Sequence, residues 1–203
     1  MKSDIPVTSL QRLPVYLNYL KSLNCGDDYI SSGAIARALD MGEVLVRKDL
    51  ANTSAQGRTR VGYKCSELIA ALEEFLGCNN KKDAVVIGAG GLGSALLSYG
   101  GFLNYGIEIV AAFDNDPKKT DAQISGKPIF SMQSAKENIQ KLGAKMAIIC
   151  VPAAYAQSVA EELVACGISA ILNFAPVLLK VPANCVVRNI DVAANMAILS
   201  SLL

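Results

Sequence analysis

The chain has 203 residues, 52% hydrophobic and 18% charged, so it can bury one large core or two small ones and is not a disordered chain. A formal charge of +1 excludes a uniformly basic nucleic-acid coat, and no apolar run of about 18 residues passes without a polar interruption, so no membrane span is expected. Histidine is absent, and the six cysteines (Cys25, Cys65, Cys78, Cys150, Cys166, Cys185) form no CxxC pair. His-dependent triads and the usual zinc spacings are thereby excluded; reduced, mostly buried thiols and a cytoplasmic protein are expected. The first twenty residues lack the apolar stretch and cleavage site of a signal peptide.

Leu13, Leu17, Leu20 and Leu23 recur at helical spacing, and Pro14 is tolerable if it lies in the first turn of that helix. Ser31 or Ser32 can cap a second helix through Ile35, Ala36 and Leu39. Asp40-Met41-Gly42 then turns into a third helix with Val44, Leu45 and Leu50, which suggests a helix-turn-helix. Residues 56–64 carry the glycines and β-prone residues of a small hairpin, and Ser66 is expected to cap a fourth helix ending at Gly77. Between residues 44 and 65, the five cations Arg47, Lys48, Arg58, Arg60 and Lys64 oppose Asp49 alone. Such a run is usually a solvated face, but this one coincides with the third helix and the hairpin. That placement suits phosphate and base-edge contacts of a winged helix with DNA.

The composition shifts near residues 77–83, where the domain boundary is expected. Apolar runs at residues 84–88, 107–113, 126–131, 147–151, 170–174 and 185–190 read as strands, and residues 92–103 and 156–166 as helices. Strands apolar throughout and separated by helices imply a parallel sheet covered on both faces, a doubly wound Rossmann-type domain. The expected divisions are a winged-helix domain over 1–78, a Rossmann domain over 82–190 and a C-terminal helix over 191–203.

Gly88-Ala89-Gly90-Gly91-Leu92-Gly93 is a GxGxxG at a strand-to-helix junction. Its first glycine permits the turn, its second lets a pyrophosphate approach the backbone, and its third lets helix and strand pack closely. Asp114 closes the next strand 21 residues after Gly93, where a carboxylate can accept from ribose hydroxyls. Asp116, before Pro117, competes on spacing but reads better as a helix cap. A carboxylate at this place favours NAD(H) over NADP(H), with Lys118 and Lys119 nearby. Without a cofactor the loop would be a plain strand-to-helix turn.

Taken together, Arg12-Leu13-Pro14, Val46-Arg47-Lys48-Asp49-Leu50, Gly62-Tyr63, the glycine loop with Tyr99, Ala111-Ala112-Phe113-Asp114, residues 167–176 and Asn189-Ile190-Asp191 make the sequence resemble the Rex family of redox-sensing transcriptional repressors over nearly its whole length. The resemblance implies a homodimer that binds a palindromic operator through its winged helices, senses the NADH to NAD+ balance through its Rossmann domains, and is released from DNA by NADH. It implies that the last helix is swapped onto the partner. The cofactor set is then Gly88, Ala89, Gly90, Gly91, Leu92, Gly93, Asp114, Tyr99, Val151, Pro152 and Asn173, and the DNA set is Arg12, Ser32, Arg47, Lys48, Arg58, Arg60 and Lys64. The resemblance also implies that Tyr99 lies by the nicotinamide and that Asp191 switches partners between states. On residue pattern alone, Tyr99 also fits a core stripe with Leu92, Leu96 and Leu103, and Asp191 also fits a helix N-cap. Two places depart from the family pattern: Ala51-Asn52-Thr53-Ser54 follow the third helix, and Asn18 stands where some members have an arginine. No catalytic or metal site is expected. The competing readings are a small NAD-dependent oxidoreductase and a CoA-binding protein, and NADH and CoA titrations would distinguish them.

Overall fold

The computed structural model describes residues 5–203, in two units that meet in sequence between Asn80 and Lys81. The first unit opens with α1 (Val7–Leu23), whose Leu13, Tyr16, Leu17 and Leu20 form a buried stripe at helical spacing. Pro14 lies well inside α1 rather than in its first turn. An internal proline costs a helix about 3 kcal/mol, and burial of the four large side chains flanking it offsets that loss. After β1 (Tyr29–Ile30), the Ser31 hydroxyl accepts from the Ala34 N–H at 3.0 Å and starts α2 (Ser32–Ala38). Next comes α3 (Glu43–Leu50), which buries Val46, Asp49 and Leu50 while Val44 and Leu45 stay exposed.

The expected hairpin is reduced to one bridge between Arg58 and Gly62; β2 (Tyr63–Lys64) instead pairs antiparallel with β1. An isolated two-stranded hairpin is marginal in water, so the wing is anchored by a strand from before α2. Gly62, at φ +103°, permits this pairing, because a Cβ there would collide with the Ile30 carbonyl. Helix α4 (Cys65–Leu76) ends on Gly77 in the left-handed conformation. Ser66 does not cap it: its hydroxyl lies within the first turn and donates to Asp27 Oδ1 at 2.8 Å. The expectation of reduced thiols is also corrected, since Cys25 and Cys65 form a disulfide with their Cα atoms 6.1 Å apart.

In the second unit, β3 (Lys82–Ile87), β4 (Ile107–Asp114), β5 (Gln123–Ile124), β6 (Lys127–Ser131), β7 (Met146–Ile149), β8 (Ala170–Asn173) and β9 (Val186–Asn189) form one sheet in the order β5-β6-β4-β3-β7-β8-β9. Neighbouring strands are parallel except β5 and β6, which form a hairpin through Ser125 and Gly126, both at positive φ. One face is covered by α6 (Ala135–Leu142) and α7 (Ala153–Ala165), which bury Ile139, Val159 and Leu163 against Val85, Ile87, Phe113 and Ile149. The other face packs Leu97 of α5 (Gly91–Ser98) against Val86, Ala112 and Ile148.

The single helix expected over residues 92–103 is broken. Tyr99 is extended and the chain continues as a 3-10 turn, Gly100–Tyr105. Two consecutive glycines, Gly100 and Gly101, are poor helix formers, and the Tyr99 ring lies where a Cβ on Gly101 would sit. Tyr99 is therefore no core residue: it is 59% exposed and packs edge-on against Phe102. The last helix, α8 (Val192–Ser200), buries none of its residues within the chain. No helix among the described residues is long and apolar enough to cross a membrane.

Candidate cofactor cleft and nucleic-acid surface

The chain runs outward from β3 to β4 and β6, then returns to place β7 on the other side of β3. At such a topological switch point, the loops leaving the carboxyl ends of the strands diverge and open a crevice. Here it is a cleft of about 690 Å³, reached by Gly88 and Gly90 after β3, Asp114, Asn115 and Asp116 after β4, and Cys150, Val151 and Pro152 after β7. Gly88 turns at φ +96°, close under the Cys150 carbonyl, and a Cβ on Gly93 would run into the Gly88 carbonyl. By contrast, a Cβ on Gly90 or Gly91 would meet nothing within 4 Å. Gly88 and Gly93 are thus required by the fold, whereas Gly90 and Gly91 face open space. No side chain caps α5, which leaves first-turn N–H groups of the helix available to an anion.

The Asp114 carboxylate accepts from the Ala89 N–H at 2.8 Å, the Asp116 N–H at 2.8 Å and Lys119 Nζ at 3.1 Å. Burial works to raise this carboxyl, but the Asp116 N–H, Lys119 and the Ala89 N–H together hold it below the usual carboxylate range. It is ionised at neutral pH, and with about four lone-pair directions it retains room to accept from a ligand hydroxyl. Asp116 does not cap a helix; its side chain accepts from the Lys118 N–H at 3.0 Å within a turn. A dinucleotide fits this donor set: an open glycine loop for a pyrophosphate and an ionised carboxylate for a ribose.

Val151 and Pro152 lie in the cleft as expected, and Asn173 does not. Its amide is fully buried, donating to the Ala175 and Val177 carbonyls and to Asn189 Oδ1 while accepting from the Ala175 N–H. Leu92 and Tyr99 are likewise absent from the lining. Asp191 caps α8, accepting from the Ala194 N–H at 2.8 Å, and borders a separate cleft of about 220 Å³ with residues 175–178. Lys119, noted only as a neighbour of Asp114, lines the cleft, and sequence reasoning missed Asn115, Met132, Cys150 and Tyr155 among its other lining residues. Tyr155 stands near the start of α7, the position after β7 equivalent to the glycine loop after β3, and that equivalence was its only signal.

In the first unit, Arg47 and Lys48 are exposed in the last turn of α3, and they and Arg60 have no ion-pair partner among the described residues. Arg58 lies over the Tyr29 ring at 5.3 Å, and Lys64 pairs with Asp27. Ser32, half-buried, donates to Glu43 at 3.4 Å. Arg12 is turned inward: its guanidinium forks onto Asp49, with Nε to Oδ2 at 2.6 Å and Nη2 to Oδ1 at 2.8 Å, and Tyr16 donates to the same carboxylate at 2.7 Å. Burial pushes the Asp49 carboxyl up, but Arg12, Tyr16 and Ser9 overcome it and hold it below the usual range. Burial and the Asp49 charge push the Tyr16 phenol up to about 12. This network fixes the inner face of α3 and so orients its outer, cationic face. The departure at residues 51–54 has a local role, because Asn52 and Thr53 side chains donate to the Lys48 and Leu50 carbonyls and finish α3.

Two family models match, one described as a putative DNA-binding protein N-terminus over residues 4–51 and one as a CoA binding domain over residues 79–177. With the helix-turn-helix, the wing and the switch-point cleft, they define a DNA-binding regulator built on a Rossmann-like sensor domain. The redox-sensing transcriptional repressor Rex of Carboxydothermus hydrogenoformans is 41% identical over 97% of this chain and 95% of its own, and that of Porphyromonas gingivalis 39% over 98% and 92%. The crystal structure of RSP in complex with β-NAD+ and operator DNA superposes with a TM-score of 0.92 at 30% identity, covering 98% of this chain and 92% of that one. The chain belongs to the Rex family of redox-sensing transcriptional repressors.

Proposed function

We propose that this chain binds operator DNA through α3 and the wing, holds NADH or NAD+ in the switch-point cleft, and leaves the DNA when NADH is bound. The observation that carries the reading is the ionised Asp114 beside an open glycine loop, in a chain whose other unit presents Arg47, Lys48 and Arg60 without an ion-pair partner among the described residues. The relative RSP has been crystallised with β-NAD+ and operator DNA and with β-NADH. Gly88, Gly90 and the first turn of α5 would hold the pyrophosphate, and Asp114 the adenosine ribose; its charge disfavours a 2′-phosphate. The bound nicotinamide supplies the redox difference that is sensed. The chain acts as a regulator and not as an enzyme, in keeping with its family, and as a homodimer through α8, whose apolar residues the chain itself leaves uncovered. The Arg12 fork serves to hold α3 in place and Asn173 to shape the loop after β8. A gel-shift with a palindromic operator tests the reading, repeated with NADH, NAD+, NADPH and CoA. Release by NADH alone is expected; release by CoA and not NADH would replace the ligand class.

A further inference from the structure

The thiol pair in the first unit is not used by this reading. Cys25 follows α1 and is half-buried; Cys65 is the first residue of α4 and 1% exposed. The two are forty residues apart in sequence, and the chain between them contains β1, α2, α3 and the wing. Four further contacts bind the same two segments: Cys65 N–H to the Asp28 carbonyl at 2.8 Å, Ser66 N–H to the Gly26 carbonyl at 2.9 Å, the Ser66 hydroxyl to Asp27 at 2.8 Å, and Lys64 Nζ to Asp27 at 3.1 Å. These do not depend on the sulfur–sulfur bond, so both sulfurs stay adjacent when it is opened. The bond adjoins the wing directly, since Lys64 pairs with Tyr29, over whose ring Arg58 lies.

Three of the four free thiols differ. Burial raises Cys166 and Cys185 and pushes Cys150 up to about 11, which makes them poor nucleophiles. Cys65 sits instead at the N-terminus of a twelve-residue helix, next to Lys64. A helix N-terminus and a neighbouring cation both favour a thiolate.

We propose that Cys25 and Cys65 are a reversible dithiol–disulfide site, oxidised by hydroperoxides and reduced by dithiols, which fastens the base of the wing and sets the affinity of the first unit for DNA. In the forward direction the more accessible Cys25, as thiolate, attacks one peroxide oxygen, the O–O bond breaks, and a sulfenic acid forms on Cys25 while the leaving hydroxide or alkoxide takes up a proton and departs as water or alcohol. The Cys65 thiolate then attacks that sulfur and expels hydroxide, which takes up a proton and leaves as water, so two thiols and one hydrogen peroxide give one disulfide and two waters; an alkyl hydroperoxide gives one water and one alcohol. In reverse, a dithiol attacks the more accessible Cys25 sulfur, and its second thiol closes on the mixed disulfide, leaving two protein thiols and an oxidised reductant.

The consequence for DNA rests on the proposed function; the site does not. The test uses the full chain, reduced with dithiothreitol and then titrated with hydrogen peroxide. Alkylation mass spectrometry at each step, thermal melting, and operator gel-shifts are compared for wild type, Cys25→Ser and Cys65→Ser. Reversible loss of two alkylatable thiols at Cys25 and Cys65 is expected, with melting of the oxidised protein higher by about 10 °C. Operator affinity should be about tenfold higher in the oxidised form, as expected for a pre-organised wing, with no such change in either variant. Thiols that remain alkylatable after peroxide, or a bond that dithiothreitol does not open in the folded protein, overturn the site. Equal operator affinity in both states overturns its effect on DNA. Absence of operator binding in both states, with reversible thiol chemistry intact, counts against the proposed function and not against the site.

Discussion

The loop that faces the cleft and the surface proposed to face DNA both suit anions, yet they share almost no chemistry. Residues 88–93 hold four glycines, an alanine and a leucine, without a cation. Their anion-binding capacity comes from backbone geometry: one positive φ, one close helix-to-strand approach, and an uncapped helix N-terminus. The DNA surface uses long cationic side chains on an ordinary helix and a short wing, held from behind by the Arg12–Asp49–Tyr16 network. A site that must discriminate one small ligand is formed by fixed backbone, and one that follows a long polyanion is formed by adjustable charge.

Removing α8, which belongs to neither region, is the largest perturbation available. Deleting residues 192–203 removes α8 while leaving the cleft and the wing; monomers by analytical ultracentrifugation, with palindrome binding lost and NADH binding retained, are expected. A dimer that survives the deletion places the interface elsewhere. Within the cleft, Gly90→Val should lower NADH affinity by at least about 100-fold in calorimetry while melting is unchanged, because its Cβ points into open space. Unchanged affinity would make the loop a structural turn only.

On the DNA side, Asp49→Ala strips Arg12 and Tyr16 of their shared acceptor and should cost about 2–3 kcal/mol in chemical denaturation of the first unit. Its pH dependence has a definite sign. The folded Asp49 carboxyl lies below its ordinary value, so its contribution is fully present above about pH 4 and is lost as pH falls through the folded value. The variant should therefore show a shallower acid limb than wild type. The smallest effect belongs to single cations: Arg47→Ala or Lys48→Ala should weaken operator binding and reduce the salt slope by about one unit each, without touching NADH binding.

The two regions also differed in how far the sequence disclosed them. The glycine loop and Asp114 were legible because their function depends on residue identity at fixed spacing. The strands were legible because they are apolar throughout, as buried parallel strands must be. Helix α6 was missed: only Ala135, Ile139 and Leu142 mark its face among charged neighbours. The wing was half-read, since β2 pairs with residues from before α2 and a non-local partner leaves no local pattern. Arg12 and Asn173 have polar side chains suited to a ligand, and each is occupied by distant protein groups that sequence alone does not bring together. The Cys25–Cys65 bond was misread for the same reason, forty residues of chain separating the two sulfurs.

The buried Asn173 amide has a mechanical consequence. It joins the end of β8 to the loop at Ala175 and Val177 and to Asn189 of β9, while the backbone carbonyl of Asn173 accepts from the Ile190 N–H at 2.8 Å. Asp191, the cap of α8, is the next residue. The loop at residues 175–177 and the root of α8 are therefore held by the same residue, so loss of the Asn173 side chain would loosen both at once.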